Sequence, residues 1–368
     1  MKYYIIAGEA SGDLHGSNLI KELKKKDTTA VIRCWGGDKM QAAGGELVKH
    51  YRDLAFMGFT EVLMNLRTIL RNLDLCKKDI LQFKPDAIIL IDYPGFNLRI
   101  AKWARQQNIK VIYYISPQVW AWKENRVKMM KECIDKMIVI LPFEKDYFKN
   151  KWNWEVEYVG HPLVEVVESE KLKVKSEKLN SNEIVALLPG SRKQEILKKL
   201  PIMLEVSKSF TEYQFVIAKA PAVEDAFYNE LIKPYPNVSS VRDDTYNLLM
   251  QAKAALVTSG TATLETALFG VPEVVCYKGS PISYQIAKRV IKVKYISLVN
   301  LIMDKLVVKE LIQHELTAEN LNNELQKLLT DEQRIAELKK DYADLKNLLS
   351  KGGHASAKAA ESIIEFLS

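Results

Sequence analysis

The sequence is poor in the residues that staple or metallate small proteins. Its 368 residues hold four cysteines and five histidines, too dispersed for a disulfide framework or a zinc cluster. Cys34, Cys76, Cys133 and Cys276 include no Cys-x-x-Cys pair and read as reduced, mostly buried thiols of a cytoplasmic protein. No apolar run is long enough to span a bilayer. Met1-Lys2 leads straight into a short apolar strand, without the cleavage pattern of a signal peptide. Any membrane contact is therefore expected to be peripheral. What is present is an ordinary folded composition, 48% hydrophobic and 27% charged. The length suits two domains. The formal charge of +7 favours anionic partners: nucleotide phosphates, nucleic acid or an acidic membrane surface.

Short β-branched runs alternate with helix-patterned stretches, the mark of an α/β protein with doubly wound parallel sheets. In the first half "KYYIIA" (2–7), "AVIRCW" (30–35), "DAIILID" (86–92), "KVIYYIS" (110–116) and "KMIVIL" (136–141) predict buried strands. Residues 166–182 are polar and lysine-rich and predict a connection between domains. A second series then starts, with "EIVALLPG" (183–190), "YQFVIAKA" (213–220), "NVSSVR" (237–242), "AALVTSG" (254–260) and "PEVVCYK" (272–278). The expected division is 1–165, a linker over 166–182, 183–350, and a terminal helix 351–368 packing back on the first domain. Both halves begin with a strand that stops at a glycine turn. Two Rossmann-like domains facing each other would put both turns at one cleft, because ligands sit beyond the carboxyl ends of parallel strands.

The opening turn, "AGEASGDLHG" (7–16), lacks both the Gly-x-Gly-x-x-Gly spacing of a dinucleotide site and the Gly-Lys-Ser/Thr ending of a P-loop. A tight turn with close helix packing explains its glycines equally well. "LLPGSRKQEI" (187–196) is a better anion site: Gly190 and Ser191 offer amides where a helix begins, and Arg192 adds a planar fork. In "VTSGTATLETALFG" (257–270), Ser259, Gly260 and Thr261 stand at another helix start, and Glu265 follows one turn later, able to accept from ribose hydroxyls. Each run could be a plain helix cap. Together they place a nucleotide in the second half.

Ten segments in order then resemble the lipid-A-disaccharide synthase family, glycosyltransferases of the GT-B fold. They are "AGEASGDLHG", "GGDKMQAAG", "MGFTEVL", "IDYPGFNLRIAK", "YYISPQVWAWKENRVK", "LPFEKDYF", "YVGHPL", "LLPGSRKQEI", "TSGTATLETAL" and "VKYISLVNLI". Small departures fall at Tyr93-Pro94-Gly95 and Val299, where the family more often has Ala-Pro-Asp and Pro. The resemblance implies an inverting transfer from UDP-2,3-diacylglucosamine to the 6-hydroxyl of 2,3-diacylglucosamine 1-phosphate. The products are a β-1,6-linked disaccharide 1-phosphate of lipid A and UDP. It further implies no cofactor and no metal, a Gram-negative source, and a place on the cytoplasmic face of the inner membrane. Asp92, closing a strand beside Pro94-Gly95, is the expected base, with Glu9, Asp13 and His15 as rivals; capping the following helix is the alternative for Asp92. Asn300 resembles the family's position near the donor.

Acyl substrates need an apolar surface. In "AFMGFTEVLMNLRTILRNLDLCKKDI" (55–80), Met57, Phe59, Leu63, Leu66, Ile69 and Leu70 lie among Arg67 and Arg71, the pattern of a helix in a membrane interface. Core packing is the alternative for such a stripe. Three rival readings remain. A UDP-N-acetylglucosamine 2-epimerase would use the same nucleotide site, a nucleotide- or RNA-binding protein would explain the charge, and an NAD(P) enzyme fails on glycine spacing. No nucleic-acid partner is expected, since the lysines are dispersed and no RNA-binding motif is present. Assembly is left open, with a homodimer one alternative.

Overall fold

The computed structural model describes residues 1–54, 66–173, 183–221, 223–290 and 293–368. They form two compact units, Met1–Pro162 with Ser350–Ser368, and Leu163–Leu349. The first holds a parallel sheet of β1 (Lys2–Ala7), β2 (Val31–Gly36), β3 (Glu46–His50), β4 (Ala87–Ile91), β5 (Lys110–Tyr114), β6 (Lys136–Val139) and β7 (Glu157–Tyr158). Its order is β3-β2-β1-β4-β5-β6-β7. The second holds β8 (Ile184–Leu188), β9 (Gln214–Lys219), β10 (Val238–Arg242), β11 (Ala252–Thr258), β12 (Glu273–Tyr277) and β13 (Lys309–Ile312). Its order is β10-β9-β8-β11-β12-β13. Both are Rossmann orders, reversing between β1 and β4 and between β8 and β11.

Central strands are apolar on both faces because helices cover both. Every residue of β4 is fully buried, and Tyr3 pairs with Ile32 on one side and Ala87 on the other. All ten expected strands are present within two residues of their ends. The three unforeseen ones, β3, β7 and β13, lie at sheet edges, where one side lacks a partner and the apolar signal thins. β3 alternates no buried face at all, and β7 is two residues long.

Helix Ala10–Lys26 buries Leu19, Ile20 and Leu23 and ends in Lys24, Lys25 and Lys26, which suit its negative pole. Its early start corrects the expected loop over 8–16: only Gly8 and Glu9 make the turn, and Gly12 and Gly16 lie inside the helix. Those two glycines serve packing, since a Cβ at Gly16 would stand 2.7 Å from the Met40 sulfur. The terminal helix Ala355–Leu367 belongs to the first unit and packs on Ala10–Lys26 through Ala355, Ala359, Ala360 and Ile363. The stretch 166–182 is not a bare linker at its start. Helix Pro162–Lys173 runs through it with Val164, Val166 and Val167 buried, and 174–182 lie outside the described residues.

Candidate active site

In the first unit the sheet order reverses between β1 and β4, so the residues after these strands meet. Asp92 and Tyr93 follow β4 with φ of 43° and 47°, a left-handed pair before the helix Pro94–Gln106. Such residues cost on the order of 1–3 kcal/mol each unless neighbours impose the geometry. Here they do. Asn97 Nδ2 donates to the carbonyl oxygens of Asp92 at 2.8 Å and Ile91 at 3.2 Å, and Tyr113 Oη donates to the Asp92 carbonyl at 2.5 Å. The Tyr93 ring lies on Gly8, where a Cβ would stand 2.3 Å from it, and Tyr93 Oη reaches the Leu54 carbonyl at 3.2 Å. Only glycine admits that approach.

Burial, and then the charge of Glu9, push the Asp92 carboxyl up to about 7, against a bond from the Tyr93 amide. A carboxyl near neutrality is a proton acceptor matched to the working pH. Sequence reasoning missed a second carboxyl beside it. Glu144 is buried and pushed up to about 8, chiefly by burial, with Asp92 adding to the rise. It accepts from Leu141 N at 3.0 Å and Trp120 Nε1 at 3.2 Å. Its segment, "LPFEKDYF", was visible in the sequence, but nothing there separates a buried carboxyl from an exposed helix cap.

The other expected bases are placed differently. The Asp13 carboxylate accepts from Gly37 N at 2.7 Å, Met40 N at 3.0 Å and Lys39 N at 3.1 Å, tying down the turn into helix Asp38–Ala42. His15 is buried with Nδ1 unpartnered among the described residues, and burial lowers it to about 4, so its ring is neutral. Glu9 alone joins Asp92. Asp13 is corrected to a structural position because three backbone amides occupy its carboxylate.

The second unit carries a pocket of about 350 Å³ at the β8/β11 reversal, lined by Gly190, Ser191, Arg192, Ala218 to Pro221, Thr258 to Ala262 and Glu265. A nucleotide-sized ligand suits that volume. Gly190 and Gly260, at φ of +122° and +152°, turn the chain where a side chain would be strained. Arg192 precedes helix Lys193–Ser207 and pairs loosely with Glu195 at 3.3 Å. Gly260 precedes helix Thr261–Phe269, whose first amides and dipole favour an anion. Tyr246 Oη donates to Glu265 at 2.9 Å, and Ser259 Oγ donates to the Ile296 carbonyl at 3.0 Å. A further cation went unforeseen: Lys199 is buried, donates to Thr258 Oγ1, and its affinity for a proton is lowered by burial.

Asn300 is corrected. Its amide is wholly used inside the unit, with Nδ2 donating to the Val308 carbonyl (2.8 Å) and Glu310 (2.9 Å), and Oδ1 accepting from Val307 N and Val308 N. Glu310 also accepts from Ile296 N and Ser297 N. Asn300 thus supports the segment on which Ser259 hangs rather than facing the pocket.

Of the expected lipid surface, Met57, Phe59, Leu63 and the side chain of Leu66 lie outside the described residues. On helix Leu66–Phe83, Leu73, Cys76 and Ile80 enter the core. Ile69 packs against that core as well, which corrects its assignment. Leu70, half exposed, stands outward with exposed Arg67 and Arg71. Among the described residues no helix is long and apolar enough to cross a membrane, and no group of three or more His, Cys, Asp or Glu could hold a metal.

The model of the lipid-A-disaccharide synthetase family matches residues 3–365. The chain is 38% identical over 369 residues to the lipid-A-disaccharide synthase of Syntrophus aciditrophicus, covering 98% of this chain and 96% of that one. It is 39% identical over 374 residues to that of Geobacter metallireducens, covering 99% and 96%. Among solved structures it resembles UDP-GlcNAc 2-epimerase from Neisseria meningitidis (TM-score 0.65, 16% identity, 100% and 99% covered). It also resembles the glycotransferase of kitacinnamycin (TM-score 0.66, 14% identity, 100% and 99% covered). These likenesses place the fold in the GT-B class. The chain belongs to the lipid-A-disaccharide synthetase family.

Proposed function

We propose that this enzyme joins UDP-2,3-diacylglucosamine to 2,3-diacylglucosamine 1-phosphate, giving the β-1,6-linked disaccharide 1-phosphate and UDP. The family match over residues 3–365 carries the reading; Asp92 in the first unit and the β8/β11 pocket of the second support it. Asp92 takes the proton of the acceptor 6-hydroxyl as that oxygen forms its bond to C1 of the donor sugar. The bond from C1 to the β-phosphate oxygen breaks, and its electron pair leaves with UDP. Attack opposite the leaving group turns the α-linked donor into a β-linked product. Glu9, whose charge raises the proton affinity of Asp92, makes it a stronger base.

The donor occupies the second unit. Arg192 and the amides of Ser259 to Thr261 meet the charge that grows on the diphosphate, with Lys199 behind Thr258 adding positive potential. Glu265, oriented by Tyr246, accepts from ribose hydroxyls. Exposed Leu70 with Arg67 and Arg71 supports peripheral contact with an anionic bilayer, where the acyl substrates reside, at the cytoplasmic face of the inner membrane.

The test is UDP release by purified protein given both lipids, with each omitted in turn. Release that needs both agrees with the proposal. Release or 2-epimerisation with UDP-N-acetylglucosamine alone contradicts it and favours the epimerase reading.

A further inference from the structure

We propose that Trp122, Lys123 and Arg126 form the subsite for the phosphate monoester of the acceptor sugar, an inference that rests on the reaction proposed above. The segment from Ile115 to Asn125 joins β5 to helix Arg126–Cys133. It contains two backbone outliers: Ile115 at φ 68° and Lys123 at φ 56°. A β-branched residue in that region is strongly disfavoured, so surrounding contacts must impose the course of the chain. They are visible at both ends. Ile115 N donates to the Ile138 carbonyl at 3.0 Å, and Trp120 Nε1 donates to the buried Glu144 at 3.2 Å while its ring meets Phe143 edge-on at 4.9 Å. Glu124 accepts from Tyr147 Oη at 2.8 Å and pairs with Lys151 at 2.5 Å.

With Trp120 and Glu124 tied down, Trp122 is left 45% exposed. Lys123 Nζ stands 4.1 Å from its ring centre and the Arg126 guanidinium 6.0 Å. Two cations therefore lie against one aromatic ring. Among the described residues neither has a carboxylate partner within ion-pair distance, although the nearby Glu124 is engaged elsewhere. Partial burial and the charge of Arg126 both lower the affinity of Lys123 for its proton. Such a like-charge pair is costly without an anion, and the strained loop holds it in place.

The cluster lies at the base's end of the sheet. Arg126 is within electrostatic reach of Tyr113, whose hydroxyl donates to the Asp92 carbonyl at 2.5 Å. An acceptor with its 6-hydroxyl at Asp92 carries its phosphate on C1, across the ring oxygen from C5, which bears the CH2 arm of that hydroxyl. The phosphate bears roughly −1.5 to −2 charges near neutrality, and an ammonium with a guanidinium fork suits its oxygens. Trp122, 45% exposed, leaves apolar surface beside the two cations for the sugar to rest against.

The test compares the phosphorylated acceptor with diacylglucosamine lacking the phosphate, first in neutral detergent micelles. Wild-type protein should favour the phosphorylated acceptor by about 10- to 100-fold in kcat/KM, the worth of one or two charged hydrogen bonds. The Lys123→Ala/Arg126→Gln double variant should treat the two acceptors alike, through a raised acceptor KM with the donor KM unchanged. Lys123→Arg should keep the preference, which separates charge recognition from loop damage. A double variant that keeps the full preference overturns the subsite. A loss seen only on vesicles containing phosphatidylglycerol, and absent in neutral micelles, also overturns it, by assigning the cluster to lipid headgroups. Wild-type protein that makes no disaccharide from either acceptor refutes the reaction itself, a result distinct from the other two.

Discussion

Replacing Asp92 by asparagine should inactivate the enzyme and stabilise it at alkaline pH. Asparagine accepts the left-handed backbone at φ 43°, so the loop survives the change. Burial and Glu9 raise the carboxyl from 3.8 to about 7 in the folded protein, which at 1.36 kcal/mol per unit is about 4 kcal/mol. The side chain is partly solvent-accessible, so about 2–3 kcal/mol is the expected effect. The sign follows from linkage. A raised acid holds its proton longer in the folded state. Its stabilising contribution is complete below about pH 4 and is lost as pH rises through about 7. Wild-type protein loses that increment between acid and alkaline pH, and the variant does not. Urea unfolding at pH 5 and pH 8 measures the difference: the variant's advantage should grow by about 1–2 kcal/mol between them. Turnover should fall by about 10²–10⁴ for loss of a general base. Wild-type kcat/KM should rise with pH with an apparent pKa of about 7, and Glu9→Gln should move that limb to lower pH. Near-normal turnover of Asp92→Asn, or a stability difference independent of pH, refutes the reasoning.

Three further outcomes follow from the same geometry. Arg192→Ala should weaken UDP binding by about 10- to 100-fold, read by calorimetry; unchanged affinity removes Arg192 from the diphosphate seat. Glu273 is buried, both carboxyl oxygens lack a partner among the described residues, and burial raises it well above the usual carboxylate range. Glu273→Met should therefore stabilise the protein by about 1–3 kcal/mol, more at pH 8 than at pH 5, because a raised acid weakens folding as pH rises; a lower Tm at pH 8 contradicts this. Combining Leu70→Ser with Arg67→Ser and Arg71→Ser should cut binding to phosphatidylglycerol vesicles by about 100- to 1,000-fold, near 1 kcal/mol per arginine plus the lost apolar contact. Sedimentation equal to wild type would place the membrane surface elsewhere.

The central strands were legible because parallel strands covered on both faces are continuous apolar runs, as in "AIILI" (87–91). The edge strand β13, "KELI", escaped because it buries Glu310 for a network rather than an apolar face. The two glycine turns of the second unit were legible as helix starts, and the structure brings Gly190 to Arg192 and Ser259 to Thr261 to one pocket. What a side chain faces was not legible. Asp13 stands in the same ten-residue motif as Glu9, yet its carboxylate meets three backbone amides. Asn300 reads as a loop polar residue, and only the fold reveals that Val307, Val308 and Glu310 use all of it. Glu144 and Lys199 were hidden for the converse reason: their charges suggest a surface, and their burial is a property of the packed unit.

The most direct measurement is the identity of the product. Protein incubated with UDP-2,3-diacylglucosamine and 2,3-diacylglucosamine 1-phosphate should yield, by mass spectrometry, a tetraacyl disaccharide 1-phosphate in equal amount to UDP, and proton NMR should give its new linkage as β-1,6. An α linkage would contradict single displacement with Asp92 as base, and UDP without any disaccharide would contradict the glycosyl transfer itself.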